Sequence, residues 1–243
     1  MLRPDANDPT VRVVGGISHA PGVGVSAFLP SAKQLLDLYR DMLSAYGAQQ
    51  WWPADSAFEV AVGAILTQNT NWTNVERAID RLRAANALTL SAILGMPPQR
   101  LAELIRPSGY YNIKAQRLRS LCEFLDLAGG LDALKAGPLD DARRALLSIK
   151  GIGPETADDI LLYAMDLPVF VIDSYTRRLL ARLGLAGGDE SYEALRGGFE
   201  RALPADVALF KQYHALIVEH AKVVCRKTPL CGSCCLQAAC ARI

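Results

Sequence analysis

The chain has 243 residues, 51% of them hydrophobic, and a net charge of +1; it is long enough to bury one large core or two modest ones, and its overall charge argues neither for nor against a nucleic-acid partner. No run of 18 or more uncharged apolar residues occurs, and the opening MLRPDANDPTVRVV has acidic residues where a secretion signal needs a basic end followed by an apolar stretch, so no membrane span and an intracellular (cytoplasmic) protein are expected. Five of the six cysteines fall at 225, 231, 234, 235 and 240, which in such a compartment points to metal rather than disulfides.

Residues 1–30 are rich in Gly, Pro, Asp and Asn without sustained periodicity, and a loose arm is expected there. From Ser31 the stretch SAKQLLDLYRDMLSAYG sets Leu35, Leu38, Tyr39 and Met42 at helical spacing behind a possible Ser cap and ends on Gly47. Amphipathic segments follow at 57–67, 71–85, 90–94, 99–105, 113–128, 140–148, 155–165, 174–183, 192–203 and 205–223, with no convincing period-2 strand between them. The fold class is therefore all-α. Two basic clusters, Arg100/Arg106/Lys114/Arg117/Arg119 and Lys222/Arg226/Lys227, are either solvated helix faces or a phosphate-binding surface.

Within Leu147–Asp158 lies Lys150-Gly151-Ile152-Gly153-Pro154-Glu155-Thr156, between two helical patterns. A Gly-x-Gly turn lets backbone approach a ligand and turns amides outward, and Pro154 suits the first turn of a helix; such a turn is either an ordinary helix connection or a phosphate grip. Some twenty residues on, Asp173 precedes Ser174–Leu183, where it can be a helix N-cap, a catalytic carboxylate, or both. Cys225-x5-Cys231-x2-Cys234-x5-Cys240 can close four thiolates around an iron-sulfur cluster or a zinc ion, leaving Cys235 spare. Cys122 reads as core, and His214 and His220, six apart, as packing or capping residues rather than a metal pair. Trp51-Trp52-Pro53, with Phe58 beyond, offers flat π surface, while Trp72 reads as a packing or DNA-facing residue.

The hairpin followed by Val171-Ile172-Asp173, together with Leu66-Thr67-Gln68-Asn69-Thr70, Gly109-Tyr110-Tyr111-Asn112-Ile113-Lys114-Ala115 and the terminal cysteines, resembles the helix-hairpin-helix DNA glycosylases of the endonuclease III type. The resemblance runs from about residue 31 to the C-terminus. It implies two helical lobes: residues 51–168 with the hairpin, and 169–243 with the aspartate and the cysteine loop, against which the first helix (31–50) packs. It further implies that Gln68 fills the gap left by an extruded base, that Tyr110 wedges into the stack, and that Lys150, Gly151, Gly153, Glu155 and Thr156 meet DNA. Asp173 would be the catalytic residue, and Cys225, Cys231, Cys234 and Cys240 would hold a 4Fe-4S cluster, although the first gap is one residue shorter than in endonuclease III; zinc is the alternative.

Where strand-cutting members carry a lysine nucleophile, this chain has Glu155, and a carboxylate cannot form a Schiff base. Together with Trp51-Trp52-Pro53 this is similar to the 3-methyladenine DNA glycosylase branch, with Trp51, Trp52 and Phe58 lining the base pocket. The resemblance thus implies a monomeric, monofunctional base-excision glycosylase that removes alkylated purines from damaged duplex DNA. The alternatives are a glycosylase for oxidised pyrimidines and a catalytically weak damaged-DNA-binding protein.

Overall fold

A computed structural model describes residues 30–49 and 51–241, so the arm expected at 1–30 lies, but for its last residue, outside the described residues. Twelve α-helices and no strand occur among them, as the all-α reading requires. α1 (Ala32–Tyr46) opens on a reciprocal cap. The Gln34 amide donates to Ser31 Oγ at 3.2 Å and the Ser31 amide to Gln34 Oε1 at 3.0 Å, and Gly47 at φ +71° closes the helix. Its buried face, Leu35, Leu38 and Met42, packs on α12 (Val207–Val223), where Tyr213 Oη donates to the Leu35 carbonyl at 2.7 Å. α12 itself is buried on most sides, from Phe210 to Ala221, so it serves as a central post rather than a surface helix.

α2 (Ala57–Leu66) is the second post, buried at every position from Glu59 to Leu66. α3 (Trp72–Ala84) and α6 (Tyr111–Ala128) pack on it, α4 (Leu90–Gly95) and α5 (Pro98–Leu104) pack in turn on α6, and α7 (Leu131–Lys135) leads from α6 into α8 (Leu139–Leu147). The five-residue α7 was not foreseen: it has no buried residue and hence no periodic apolar face to betray it. α9 (Pro154–Asp159) follows the hairpin. It was expected to continue as one helix to Met165, but Ile160–Ala164 widens into a π turn, with the Met165 amide bonded to the Ile160 carbonyl at 3.1 Å.

Val169–Ile172 then crosses the core buried, with two of its amides satisfied by side chains: Phe170 N donates to Glu200 Oε1 at 3.0 Å and Ile172 N to Tyr192 Oη at 3.3 Å. This crossing delivers α10 (Ser174–Leu183) and then α11 (Tyr192–Ala202). Phe170 stacks on Phe199 at 3.9 Å between ring centroids and meets Phe210 and Tyr213 edge-on. Each of these rings contributes about 1.5 to 3 kcal/mol by leaving water, and together they fix where residue 173 emerges. Arg143 of α8 makes a buried two-point pair with Asp158 of α9 (2.7 and 3.1 Å) and reaches Glu193 of α11 at 2.7 Å, joining the hairpin to the C-terminal helices. No described helix is long and apolar enough to cross a membrane.

Candidate active site

A cavity of about 340 Å³ opens between the helices, with Asp173, Glu155 and Asp159 on one wall and Trp51, Trp52 and Trp72 on another. Asp173 holds both roles that its sequence position allows. Its Oδ1 caps α10, accepting from the Thr176 amide at 2.7 Å and the Thr176 hydroxyl at 2.8 Å, and its Oδ2 faces His214 Nε2 at 3.7 Å. Burial pushes the carboxyl up, but His214 and the two Thr176 donors outweigh it and hold the group below the usual aspartate range. An ionised, positioned carboxylate is what an oxocarbenium-like sugar needs beside it.

His214, read from sequence as packing or capping, lies in this wall instead. Its Nδ1 pairs with Tyr163 Oη at 2.7 Å, and its Nε2 is sealed from solvent with no hydrogen-bond partner among the described residues. The π turn carries Tyr163, whose ring lies 5.0 Å from that of Trp52. Glu155, one turn before Asp159, sits exposed at the mouth; desolvation and the neighbouring Asp173 charge raise its pKa to about 7.

The aromatic wall differs from expectation in two places. Trp51 and Trp52 line the cavity, but Phe58 does not; it packs partly buried against the core. Trp72 takes the third place, meeting Trp52 edge-on at 5.5 Å and tied by its Nε1 to Glu76 at 2.8 Å. Lys222 Nζ stands 4.8 Å from the Trp51 ring centroid. Gly63 of α2 makes room for this wall, since a Cβ there would lie 3.2 Å from Trp52 Nε1.

The hairpin is anchored by Ile149 and Ile152, both buried, and turns at Gly151 with φ +92°. Lys150 and Gly153 face outward, and a Cβ on Gly153 would meet nothing within 4 Å. Gln68 is knotted to this turn: its Nε2 donates to the Gly151 carbonyl at 3.2 Å and to Thr156 Oγ1 at 2.9 Å, and its Oε1 accepts from Arg117. Thr156, expected at the DNA face, is thus buried behind Gln68. A second tie is invisible in the sequence: the Lys114 ammonium is buried and donates to the carbonyls of Leu66 (2.9 Å) and Ser108 (2.7 Å), linking the approach to Gln68 with the loop that presents Tyr110.

Tyr110 is 69% exposed at φ +46°. Trp52, at φ +62°, and Asn69, at +55°, are strained in the same sense, so three of the five such non-glycine residues among the described residues lie at or beside this site. Each costs about 1 to 3 kcal/mol and persists only where its surroundings enforce it.

The cysteine loop is clamped to α10. Arg182 donates to the Cys225 carbonyl (3.1 Å), Cys225 Sγ (3.2 Å) and the carbonyls of Arg226 and Lys227, while Arg178 also reaches the Cys225 carbonyl at 3.0 Å. Cys240 Sγ donates to the Arg182 carbonyl at 3.3 Å. Four soft thiol donors with an outer hydrogen bond onto one sulfur suit an iron-sulfur cluster or zinc in chemistry, although among the described residues no three of them converge at metal-binding distance. His220 packs beside them, its Nδ1 paired with Tyr46 Oη at 2.7 Å, and burial lowers its pKa to about 4. Cys122 is buried in the core.

A protein of Methanocaldococcus jannaschii provisionally named a DNA repair glycosylase is 46% identical over 86% of this chain and 96% of its own length. Among solved structures, the H. pylori 3-methyladenine DNA glycosylase bound to 1,N6-ethenoadenine is 31% identical, covers 79% of this chain and 98% of its own, and has a TM-score of 0.67. An endonuclease III in a non-covalent complex with DNA shares the fold at 22% identity and a TM-score of 0.75, over 88% of this chain and 97% of that one. The profile of the HhH-GPD superfamily base excision DNA repair proteins matches residues 62–205. The chain belongs to the HhH-GPD superfamily of base excision DNA repair proteins.

Proposed function

We propose that this protein is a monofunctional DNA glycosylase that takes alkylated purines out of duplex DNA. The observation that carries the reading is the pairing of an ionised, anchored Asp173 with a wall of three tryptophans in one base-sized cavity. Electron-poor alkylpurines stack on such rings, and non-planar oxidised pyrimidines gain less. The likeness to a 3-methyladenine glycosylase supports the same choice.

In this reading the hairpin residues Lys150, Gly151 and Gly153 grip a phosphate, Tyr110 enters the stack, and Gln68 swings from its knot to the gap. With the base in the cavity, Asp173 stabilises the positive charge growing on the sugar and orients the attacking water. Glu155 provides no amine, so the product is an intact strand bearing an abasic site.

The two lobes, 51–168 and 169–243, close on the DNA with the first helix backing the second. Cys225, Cys231, Cys234 and Cys240 hold a 4Fe-4S cluster that supports the basic loop at Arg226 and Lys227; when bound, the cluster supplies structural cross-linking of that loop. Iron and labile-sulfide assays on anaerobically prepared protein test this, and stoichiometric zinc in their place would refute it. The enzyme works as a monomer on damaged double-stranded DNA.

The deciding experiment is base release from methylated duplex DNA, with strand breaks scored before and after alkali and Asp173→Asn as control. Release of 3-methyladenine or another alkylpurine, with breaks only after alkali, is the expected result. Release of oxidised pyrimidines alone, or damage binding without release, would overturn it. Borohydride should trap no adduct with DNA, and a trapped species abolished by Lys150→Ala would contradict the monofunctional assignment.

A further inference from the structure

Beside the partnered carboxylate of Asp173, the cavity holds a second one without a partner. Asp159 stands one turn after Glu155 on α9, is 8% exposed and lines the same hollow, and its Oδ1 is sealed from solvent with no hydrogen-bond partner among the described residues. Among the described residues, the charged and titratable groups around it supply no counter-ion. On its own helix are Glu155 and Asp158, the latter committed to Arg143; the π turn brings Tyr163, α10 brings Asp173 and α11 brings Tyr192. From α12 come His214, whose Nδ1 is taken by Tyr163 and whose Nε2 faces Asp173, and Lys222, which stands over Trp51. A desolvated anion beside two further carboxylates is unfavourable, whereas a neutral carboxylic acid needs only an acceptor. Ring nitrogens of an extruded purine are acceptors.

We propose, building on the alkylpurine reading above, that Asp159 is a second catalytic residue, a general acid that delivers its proton to a ring nitrogen of the extruded base and so extends the substrate class to neutral purine lesions. Burial first, and then the charges of Glu155 and Asp173, keep its carboxyl well above the usual aspartate range, as a proton donor at neutral pH requires. In the step, the Asp159 proton moves to the base nitrogen and the C1′–N bond breaks with both electrons to the base. Water oxygen bonds to C1′ and gives up its proton through Asp173 to solvent, and Asp159 is reprotonated from solvent. A cationic alkylpurine leaves as a neutral base without that proton, so only neutral lesions depend on Asp159.

The test is single-turnover release by the full chain from two duplexes, one bearing methylated purines and one bearing 1,N6-ethenoadenine, with Asp159→Asn and Asp159→Leu. Both variants should lose about 100-fold or more on ethenoadenine and at least about tenfold less than that on methylated purines, so that the ratio of the two rates, rather than either rate alone, reads the proposal. The parent's ethenoadenine release should also fall as pH rises through the Asp159 titration, while methylated-base release follows a different profile set by the remaining groups. Equal losses on both substrates, or unchanged ethenoadenine release in the variants, would overturn the proposal. A parent that frees methylated purines but never ethenoadenine sinks this inference alone, whereas a parent that frees neither sinks the alkylpurine reading with it. Thermal unfolding of both variants guards against a fold effect, since neither change removes a hydrogen bond and the melting temperature should hold or rise.

Discussion

Two regions of the molecule handle their polar groups in opposite ways. Around Gln68 every polar end is matched: its amide ties Gly151, Thr156 and Arg117, and the neighbouring Lys114 closes on two carbonyls. Around Asp173 the matching stops. Three of the five sealed, unpaired side-chain atoms among the described residues belong to residues lining the cavity, namely Trp51 Nε1, Asp159 Oδ1 and His214 Nε2. Buried polar atoms without partners are rare in native folds and each calls for an explanation. Here the contrast separates a part of the protein built to hold its shape from a part whose hydrogen-bonding capacity is left for something that arrives.

The largest blow to this contrast falls on the unsaturated side. Asp173→Asn should lower base release by about 10²- to 10⁴-fold while changing unfolding stability by under about 1 kcal/mol, because Asn caps a helix about as well as Asp. Single-turnover kinetics beside thermal melts check both halves. On the saturated side, Lys114→Met leaves the Leu66 and Ser108 carbonyls bare, and chemical denaturation should register a loss of about 1 to 3 kcal/mol for each.

Lys114 also sharpens the comparison through pH. Burial, reinforced by Arg117, lowers its pKa to about 8 in the folded protein from 10.5, so between those values the unfolded chain binds the extra proton. Its contribution to stability therefore rises with pH across that window. Denaturation curves from pH 7.5 to about 10.5 should show this rise in the parent and a flatter course in Lys114→Met.

Smaller effects probe how closely the aromatic wall is set. Gly63→Ala pushes on Trp52 from 3.2 Å, and a shift of a few tenths of an ångström should slow release on the order of tenfold or less with little loss of stability. Smallest of all, Tyr110→Gly relieves the left-handed backbone while loosening the unfolded chain, so the melting temperature should move by the equivalent of about 1 kcal/mol or less. Lesion-duplex affinity, read by fluorescence anisotropy, should nonetheless weaken.

Most of the long helices were legible because their apolar residues keep a 3.6 period, and α1 also because Ser31 marks its start. Asp173, the hairpin glycines and the tryptophan pair stand out in the sequence through the resemblance to the helix-hairpin-helix glycosylases rather than through any local physical signal. What escaped depends on partners far along the chain. Tyr163 and His214 meet across fifty-one positions, and nothing local marks either as part of a cavity wall. Asp159 looks like one polar residue in an amphipathic helix until the fold sets it among like charges. Phe58 and Trp72 were exchanged for a related reason: aromatic character is visible in sequence, but the side of the helix facing the hollow is set by packing. The π turn is likewise a product of tertiary fit, since Ile160–Ala164 has an unremarkable helical composition.

α10 carries Asp173 at its entrance and Arg182, the clamp on the cysteine loop, near its exit. It is a rod of roughly 15 Å whose residues step round by about 100° each. Adding or removing one residue between those ends would leave every helical preference intact and yet turn Arg182 about 100° away from the loop it grips. Side chains on the outer face of this segment are free to vary in kind, but their number is not, and an insertion that any surface loop would tolerate would here put the two ends of the rod out of phase.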